Sequence, residues 1–323
     1  MTRYTRQLTE IRKEDVQLCG GKGANLGELT GFGAQVPPGY CIIADSLPYL
    51  LRANGLTDRI AELAAALDFD DLKGLEEGTA VIRDLIAEAR IPDDLEAEIR
   101  DRYDALVTPA NRYVAVRSSV AVRDSPISSF PGMMDTYHYV LGGTEVISKV
   151  RECWASLWTG RAAFARHRQG IAHDRGLIAP VVQLMVNADS AGVLFTANPI
   201  TGNTGEAVIE SNWGLGESVV SGRAMTDFFT LDKQTLSIRE RRIARKNVLV
   251  TMDSGKGSGR VELAVPAAQA SEPSLSEAQL VELVRTSIAI EDHFGFNVDM
   301  EWAYQAGVLY ILQARRIRNL VDK

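Results

Sequence analysis

The amino-acid sequence predicts an α+β fold, because helix-like and strand-like segments alternate irregularly along the chain. Between residues 46 and 106 apolar residues recur at intervals of three and four, which is typical of amphipathic helices. Two apolar runs, at residues 180–186 and 191–195, are typical of buried strands. Near the end, two apolar runs on either side of a polar turn at residues 305–307 predict a β-hairpin.

Composition and charge exclude several classes of protein. The 323 residues are 46% hydrophobic and 24% charged, with a formal net charge of -7, which gives no support for a nucleic-acid partner. Cys19, Cys41 and Cys153 are odd in number and widely scattered, which favours reduced thiols over a disulfide framework or a zinc site. No signal-like segment and no membrane-length apolar run is present in the sequence. We therefore expect a soluble cytoplasmic protein with no membrane or nucleic-acid partner.

The first motif is Gly20-Gly21-Lys22-Gly23, followed by a helix-like segment. Glycines let backbone N–H groups approach a phosphate closely, and the lysine supplies a positive charge. The spacing is not that of a Walker A sequence, because no Ser or Thr follows the lysine. A phosphate-binding turn and an ordinary glycine-rich helix start with an exposed lysine both remain open.

The second motif follows a predicted strand at residues 113–116, which leads directly into Arg117-Ser118-Ser119. A loop rich in Ser, Pro, Asp and Gly continues to Gly132. An arginine at a strand end, followed by hydroxyls and such a loop, can clamp phosphoryl oxygens. The alternative interpretation is an ordinary salt-bridged strand terminus.

The third motif lies in the predicted terminal hairpin. Asp299 and Glu301 are two residues apart, so their side chains share one face of a strand. Hairpin pairing is expected to bring Gln313 beside Glu301, with Arg315 on the same face as Gln313. Carboxylate and amide oxygens are the ligands that Mg²⁺ prefers, and one or two of them suffice at a nucleotide. The alternative is a cross-strand polar pair on a solvated face.

Taken together and in this order, the motifs resemble a known family. The chain resembles the ATP-binding, ATP-grasp-type domain of phosphoenolpyruvate synthase, pyruvate phosphate dikinase and rifampin phosphotransferase. The segments that carry the resemblance span nearly the whole chain: residues 20–29, 36–39, 114–119, 130–136, 182–186, 190–199, 210–217, 299–302 and 312–315.

The resemblance implies an ATP-grasp-type nucleotide-binding fold of two subdomains, at residues 1–186 and 187–323. It implies that Lys22 and Arg117 bind phosphates, and that Gly132 and Thr136 lie in a loop covering the triphosphate. The resemblance also places a segment against adenine, which consists of Gln183, Leu184, Met185 and Val186. In it, backbone groups of Leu184 and Val186 are expected to bind the polar edge of the base.

In the terminal hairpin, the resemblance implies that Glu301 and Gln313 bind Mg²⁺ and that Arg315 contacts the phosphates. Asp299 is expected to belong to the same nucleotide site. Lys22, Arg117 and Arg315, together with Mg²⁺, are then the cations that a reaction between the α- and β-phosphates requires.

The activity implied by the resemblance needs a group that this sequence lacks. In the family, ATP is split so that AMP leaves, a histidine carries the β-phosphoryl group, and the γ-phosphate goes to water or phosphate. That histidine lies in a separate domain, and none of His138, His167, His173 and His293 has its sequence context. We therefore expect a phosphocarrier-histidine partner subunit or missing domain, and a small-molecule acceptor bound elsewhere. In a phenylphosphate synthase, where the ATP-binding part is a separate polypeptide, that acceptor is a phenol.

Some features leave alternatives open. An ATP sensor without turnover, or a kinase acting directly on a small molecule, would use the same nucleotide-binding residues. The start at Met1 mildly favours a natural subunit over an excised domain. Arg316 and Arg318, where the family has other residues, bind phosphate, engage a partner or reflect drift. The basic residues between 239 and 246 are expected on a solvated edge or face.

Overall fold

A computed structural model of the chain describes residues 3–123, 135–317 and 320. The chain forms two compact units, Met1–Glu28 with Pro38–Met185, and Leu29–Pro37 with Val186–Lys323. Each unit contains helices and strands, so the predicted α+β fold class is confirmed. The early segment 29–37 packs with the C-terminal residues, where the Ile311 N–H donates to the Gln35 carbonyl at 2.9 Å. That the units act as ATP-grasp subdomains remains a prediction.

The first unit is built around a five-stranded antiparallel sheet. The strands of this unit are β1 (Thr5–Gln7), β2 (Gly39–Ile42), β3 (Tyr113–Arg117), β4 (Val120–Val122), β5 (Thr136–Leu141), β6 (Gly176–Ile178) and β7 (Val181–Leu184). Of these, β4 and β6 pair with each other in a separate two-stranded sheet. Its helices are α1 (Val16–Phe32), which ends in the second unit, α2 (Ser46–Ala53), α3 (Thr57–Ala65), α4 (Leu72–Glu88), α5 (Asp93–Leu106), α6 (Gly143–Ser156) and α7 (Gly160–Arg168).

The strand order of this sheet, β1-β2-β7-β3-β5, places β3 between β7 and β5. Its valines Val114 and Val116 are fully buried, as expected for an apolar central strand. The stretch with helical periodicity at residues 46–106 forms α2 to α5, as predicted. Because β3 has neighbours on both sides, the residue at its end, Arg117, lies beside side chains from two other strands.

The second unit contains a six-stranded antiparallel sheet of order β11-β10-β9-β8-β14-β15, and a separate two-stranded sheet, β12-β13. Its strands are β8 (Ser190–Phe195), β9 (Glu206–Trp213), β10 (Asp227–Asp232), β11 (Ile238–Arg242), β12 (Val248–Met252), β13 (Arg260–Ala264), β14 (Val298–Gln305) and β15 (Val308–Arg316). Its helices are α8 (Glu217–Val220) and α9 (Glu277–Phe294).

The ends of α9 are set by local sequence. Ser276 caps the helix, since its Oγ accepts the N–H of Gln279 while the Gln279 side chain accepts the Ser276 N–H, a capping box. Gly295 ends it in the left-handed conformation with φ of 72°, which glycine adopts without a steric penalty. Both ends of α9 are therefore set by residues within a few positions of them.

The two faces of β14 differ in character. Met300, Trp302 and Tyr304 are buried, and the Tyr304 hydroxyl donates to α9 at the Glu282 carboxylate, 2.9 Å away. Asp299 and Glu301, at the alternate positions, therefore lie on the face opposite to α9. This alternation gives one face of the strand to the core and leaves the other for polar side chains.

A fully buried ion pair connects β10 to the irregular segments around it. Lys246 Nζ donates to Asp227 Oδ1 at 2.6 Å and to the Ala244 carbonyl at 3.1 Å, and both charged side chains are 0% exposed. The other oxygen, Asp227 Oδ2, accepts the N–H and Oγ–H of Ser274 at 2.7 and 2.8 Å. The expectation of a solvated position is wrong for Lys246, because an intramolecular carboxylate replaces water as its partner.

Candidate functional site

The glycine-rich turn near the start of α1 has a backbone that only glycine fits. Gly20 has φ of +67°, and a Cβ there would lie 2.3 Å from Ser119 Oγ and 2.7 Å from the Ser119 carbonyl oxygen. The helical path is broken at this residue, and Lys22 follows on the turn, half-buried. The predicted glycine-rich feature is therefore a kinked turn packed on the end of the β3 segment.

Arg117 ends β3 and is almost completely buried, with 8% of its surface exposed. Its Nη1 donates to Gln183 Oε1 of β7 at 3.1 Å. In the sheet register Arg117 lies opposite Thr136 of β5 on one side and Val181 of β7 on the other. The structure thus brings together three of the predicted nucleotide-binding residues, Arg117, Thr136 and Gln183.

Gly39, to which the sequence motifs assign no role, makes room for Gln183. Gly39 of β2 lies opposite Gln183, and a Cβ on it would approach the Val182 carbonyl oxygen to 2.5 Å and Gln183 Cα to 2.9 Å. Only glycine allows β2 this close to β7 at that point. The turn Pro37-Pro38-Gly39 is visible in the sequence, but nothing in the sequence shows that Gly39 lies opposite Gln183.

Backbone groups in the predicted adenine-binding segment are partly used by the fold. The Leu184 N–H donates to the Pro38 carbonyl at 2.8 Å, and the Met185 N–H donates to the Tyr113 carbonyl at 2.9 Å. Contact of adenine with the backbone of Leu184 would therefore use its carbonyl. Val186, in the second unit, is buried in an apolar cluster with Ala191 and Ala303. The adenine-binding role of this segment remains a prediction.

Gly132, expected in the loop that covers the triphosphate, lies outside the described residues, as does Arg318. Arg316 is exposed, and its guanidinium lies over the Phe296 ring at 4.8 Å from the ring centroid. This cation–π contact gives Arg316 a partner within the second unit.

The terminal hairpin places its polar side chains in two cross-strand pairs. Glu301 of β14 lies opposite Gln313 of β15, and Asp299 lies opposite Arg315. Arg315 donates from Nε and Nη2 to Asp299 Oδ2 at 2.8 and 2.7 Å. Burial raises the pKa of Asp299, while the charge of Arg315 acts against that rise. All four side chains lie on the face away from α9.

A β-bulge at Leu312 produces the pairing of Glu301 with Gln313. From the turn up to Trp302 opposite Ile311 the register is regular, and it shifts by one residue between Glu301 and Trp302. Without the shift, Glu301 would lie opposite Leu312, and Gln313 would fall on the buried face. The pairing expected from the sequence therefore exists because of an extra residue that the spacing did not reveal.

The donor set at Glu301 and Gln313 fits a magnesium ion bound together with a nucleotide. One carboxylate and one amide oxygen lie side by side, and Mg²⁺ usually takes only one or two protein ligands beside phosphates and water. Within the described part of the chain, no group of three or more His, Cys, Asp and Glu residues forms a metal site of its own. Glu301 and Gln313 therefore suit a metal ion whose other ligands come from a bound nucleotide and water.

The histidines that the structure describes have packing roles. His167 stacks on Phe69 at 3.9 Å between ring centroids, and His293 stacks on Phe32 at 4.5 Å. His173 lies between Phe69 and Trp158, and burial lowers its pKa to about 4. His138 lies within β5.

No helix in the portion of the chain that the structure describes has both the length and the apolar character needed to cross a membrane. The cysteines Cys19, Cys41 and Cys153 are all buried as free thiols. The expectation of reduced cysteines agrees with this arrangement.

Comparison of the sequence with known proteins identifies the family of the chain. Residues 16–323 match the pyruvate phosphate dikinase AMP/ATP-binding domain family, and the chain belongs to that family. The family predicted from the motifs is thereby confirmed.

Relatives of the chain are longer proteins. It is 39% identical over 361 residues to a probable phosphoenolpyruvate synthase of Pyrococcus horikoshii, covering 99% of this chain and 44% of that protein. It is 39% identical over 362 residues to the phosphoenolpyruvate synthase of Pyrococcus furiosus, again covering 99% and 44%. For a probable phosphoenolpyruvate synthase of Methanocaldococcus jannaschii, the identity is 42% over 316 residues, covering 97% and 26%. The chain thus spans less than half the length of these relatives.

Proposed function

We propose that this chain is the ATP-binding part of a dikinase-type phosphotransferase. In the first unit, Lys22 and Arg117 would bind phosphates. In the second unit, Glu301 and Gln313 would hold Mg²⁺ and Arg315 would contact a phosphate. The observation that carries the proposal is the hairpin, which holds a carboxylate–amide pair next to an arginine on one face. Carboxylate–amide pairing suits a metal, the arginine suits a phosphate, and a nucleotide supplies both.

The reaction that we propose is a transfer from ATP to a histidine. A histidine nitrogen forms a bond to the β-phosphorus while the bond from that phosphorus to the bridging α-oxygen breaks. AMP leaves with the bridging oxygen, the histidine loses its proton to solvent, and the β- and γ-phosphates stay joined on the histidine. Water or phosphate then forms a bond to the γ-phosphorus while the bond from that phosphorus to the β–γ bridging oxygen breaks, and the β-phosphoryl group remains on the histidine. Mg²⁺, when bound, would neutralise charge on the phosphate oxygens.

Two side chains of this protein have defined tasks in that step. Arg117, held by Gln183, would present a fixed guanidinium to the phosphates, so that no reorganisation is needed as negative charge shifts toward the leaving AMP. Arg315 would do the same from the hairpin, where Asp299 fixes its orientation. Both tasks require a guanidinium whose direction is set before ATP binds.

The carrier histidine would come from a partner subunit or from a further domain. Support for this is the length of the relatives, of which the chain covers 26% to 44% in the three compared. The final acceptor is a small molecule bound elsewhere, and a phenol is one such acceptor. We place the reaction in the cytoplasm, which the buried free thiols support.

The test is to measure Mg·ATP binding by calorimetry and then to identify the product nucleotide with and without candidate histidine-bearing partners. We expect binding that weakens about tenfold or more in Glu301→Gln, since a carboxylate ligand of the metal is lost. Glu206→Gln is the matched control, because Glu206 is a half-buried carboxylate on β9 of the same sheet.

Three results of the partner experiment have different meanings. AMP formed only with a partner supports the proposal. ADP as the product would contradict the proposal and indicate a kinase that phosphorylates a small molecule directly. Binding of Mg·ATP without turnover with any partner would favour a nucleotide sensor.

A further inference from the structure

Two consecutive serines follow Arg117, and their hydroxyls bond to different segments of the first unit. Ser119 is 1% exposed. Its Oγ donates to the Cys19 carbonyl at 2.7 Å and accepts the Gly23 N–H at 3.0 Å. Cys19 and Gly23 lie on either side of Lys22, so one buried hydroxyl spans the turn that carries this lysine.

The position of Ser119 is itself fixed from both sides. Its carbonyl accepts the Ala179 N–H at 2.8 Å, and Gly20 packs so closely on it that a Cβ at Gly20 would overlap its Oγ, at 2.3 Å. The hydroxyl therefore has one direction available, between the Cys19 carbonyl and the Gly23 N–H. A buried hydroxyl with both a donor and an acceptor satisfied is costly to disturb.

Ser118 makes the corresponding contact on the other side of Arg117. Its Oγ and its N–H both donate to the Asp135 carbonyl, at 2.9 and 3.3 Å. Asp135 directly precedes Thr136, the residue opposite Arg117 in the sheet. Ser118 thus holds the start of β5 against the end of the β3 segment.

Cys153 of α6 is a fully buried thiol in the first unit. Burial raises the pKa of its thiol to about 12, while a hydrogen bond with Ser118 and the charge of Lys22 both act in the opposite direction. Both residues therefore favour the thiolate form of this thiol, although burial outweighs them.

We propose that Ser118 and Ser119 are positioning residues, which fix Thr136 and Lys22 relative to Arg117 and so set the affinity for the phosphates of ATP. The inference rests on the nucleotide-binding role proposed above for Lys22 and Arg117. Neither serine needs to touch the nucleotide, because each acts by holding a neighbouring segment in place. A turn that is ordered in advance loses less conformational entropy when the phosphate binds.

The first experiment measures amide hydrogen exchange of the full chain without nucleotide, resolved to the Gly23 amide by NMR. In the wild type we expect this amide to be protected, and in Ser119→Ala we expect its exchange to be at least about tenfold faster, since its acceptor is gone. Ser118→Ala should leave Gly23 unchanged. Ser287→Ala is the matched control, as Ser287 is a buried serine on α9 whose Oγ donates to a carbonyl at 2.8 Å.

The second experiment is a double-mutant cycle on Mg·ATP affinity, measured by calorimetry. Ser119→Ala should weaken binding about fivefold to tenfold in the wild-type background and less than about twofold in a Lys22→Met background, because it acts through Lys22. A serine that contributes only to stability would weaken binding, or leave it unchanged, equally in both backgrounds. Ser119→Cys keeps a weaker donor and should give intermediate values, and it serves if the alanine variant does not fold.

The outcomes separate this inference from the proposed function. Fast exchange of Gly23 in the wild type, or equal effects of Ser119→Ala in both backgrounds, overturns the positioning role. A wild-type chain that does not bind Mg·ATP overturns the proposed function and with it the effect on affinity. In that case protection of Gly23 still decides whether Ser119 holds the turn.

Discussion

Two cation–carboxylate pairs in the second unit use similar chemistry in different surroundings. Lys246 and Asp227 are both 0% exposed, whereas the side chains of Arg315 and Asp299 are 34% and 13% exposed. Asp227 uses both carboxylate oxygens on neighbouring donors, but the two contacts from Arg315 go to a single oxygen of Asp299. The first pair is therefore suited to hold the fold, while the second keeps a guanidinium oriented that, in the proposed function, contacts a phosphate.

The physical basis of this difference is the cost of an unpaired charge. A buried ion pair adds little to stability over an apolar alternative, but the loss of one partner leaves a charge without compensation and costs about 3–5 kcal/mol. The loss of one partner from a partly exposed pair costs much less stability, because water reaches the remaining charge. Substitution of one partner should therefore distinguish a pair that holds the fold from one that orients a ligand-binding group.

The largest expected effect is that of Lys246→Met. It leaves Asp227 buried without its cation, and we expect the free energy of unfolding to fall by about 3–5 kcal/mol, measured by urea denaturation. Lys233→Met is the matched control, since Lys233 pairs with Glu291 at 2.8 Å but both side chains keep some exposure, 14% and 19%. A loss no greater than that of the control would show that the buried pair is not a main support of the unit.

A smaller effect on stability, with a larger one on binding, is expected for Asp299→Asn. The amide loses the charge-assisted contact that orients Arg315, so we expect Mg·ATP affinity to fall about tenfold while the free energy of unfolding changes by less than about 1 kcal/mol. Calorimetry and urea denaturation measure the two quantities. If stability fell as far as in Lys246→Met while affinity stayed the same, both pairs would belong to the fold and the contrast would disappear.

The smallest effect concerns pH. The pKa of Asp299 is raised by burial, with Arg315 acting against that rise, so the folded chain holds this proton more tightly than the unfolded chain does. The resulting stabilisation is present below the usual carboxyl range and is lost as pH rises through the raised pKa. The stability advantage of the wild type over Asp299→Asn should therefore shrink as pH rises, measured by urea denaturation at several pH values. An advantage that grew with pH would mean that Arg315 outweighs burial.

Much of the fold could be predicted from the sequence, because periodicity and turn residues are local. The helices between residues 46 and 106, the cap at Ser276 and the turn before Gly307 follow from neighbours within a few positions. The buried state of Lys246 could not be predicted, because its partner Asp227 is 19 residues away and nothing in the basic segment marks the contact.

In the candidate site, too, local motifs could be predicted and long-range contacts could not. Motif order indicated Lys22, Arg117, Glu301 and Gln313, but it gave no role to Ser119 or Gly39. Ser119 acts across 96 residues on Gly23, and Gly39 matters for the space it leaves beside Gln183. Such contacts join segments that are far apart in the chain, so the residues around each position do not reveal them.

The extra residue at Leu312 divides the terminal hairpin into two phases. Partners nearer the turn are separated by an odd number of positions, as for Trp302 and Ile311, whereas Glu301 and Gln313 are separated by an even number. Counting inward from the turn therefore gives the wrong partner for every polar residue of the site. Between the turn and the polar pairs, β15 has one residue more than β14. Leu312, which has no partner in the register, takes up this difference.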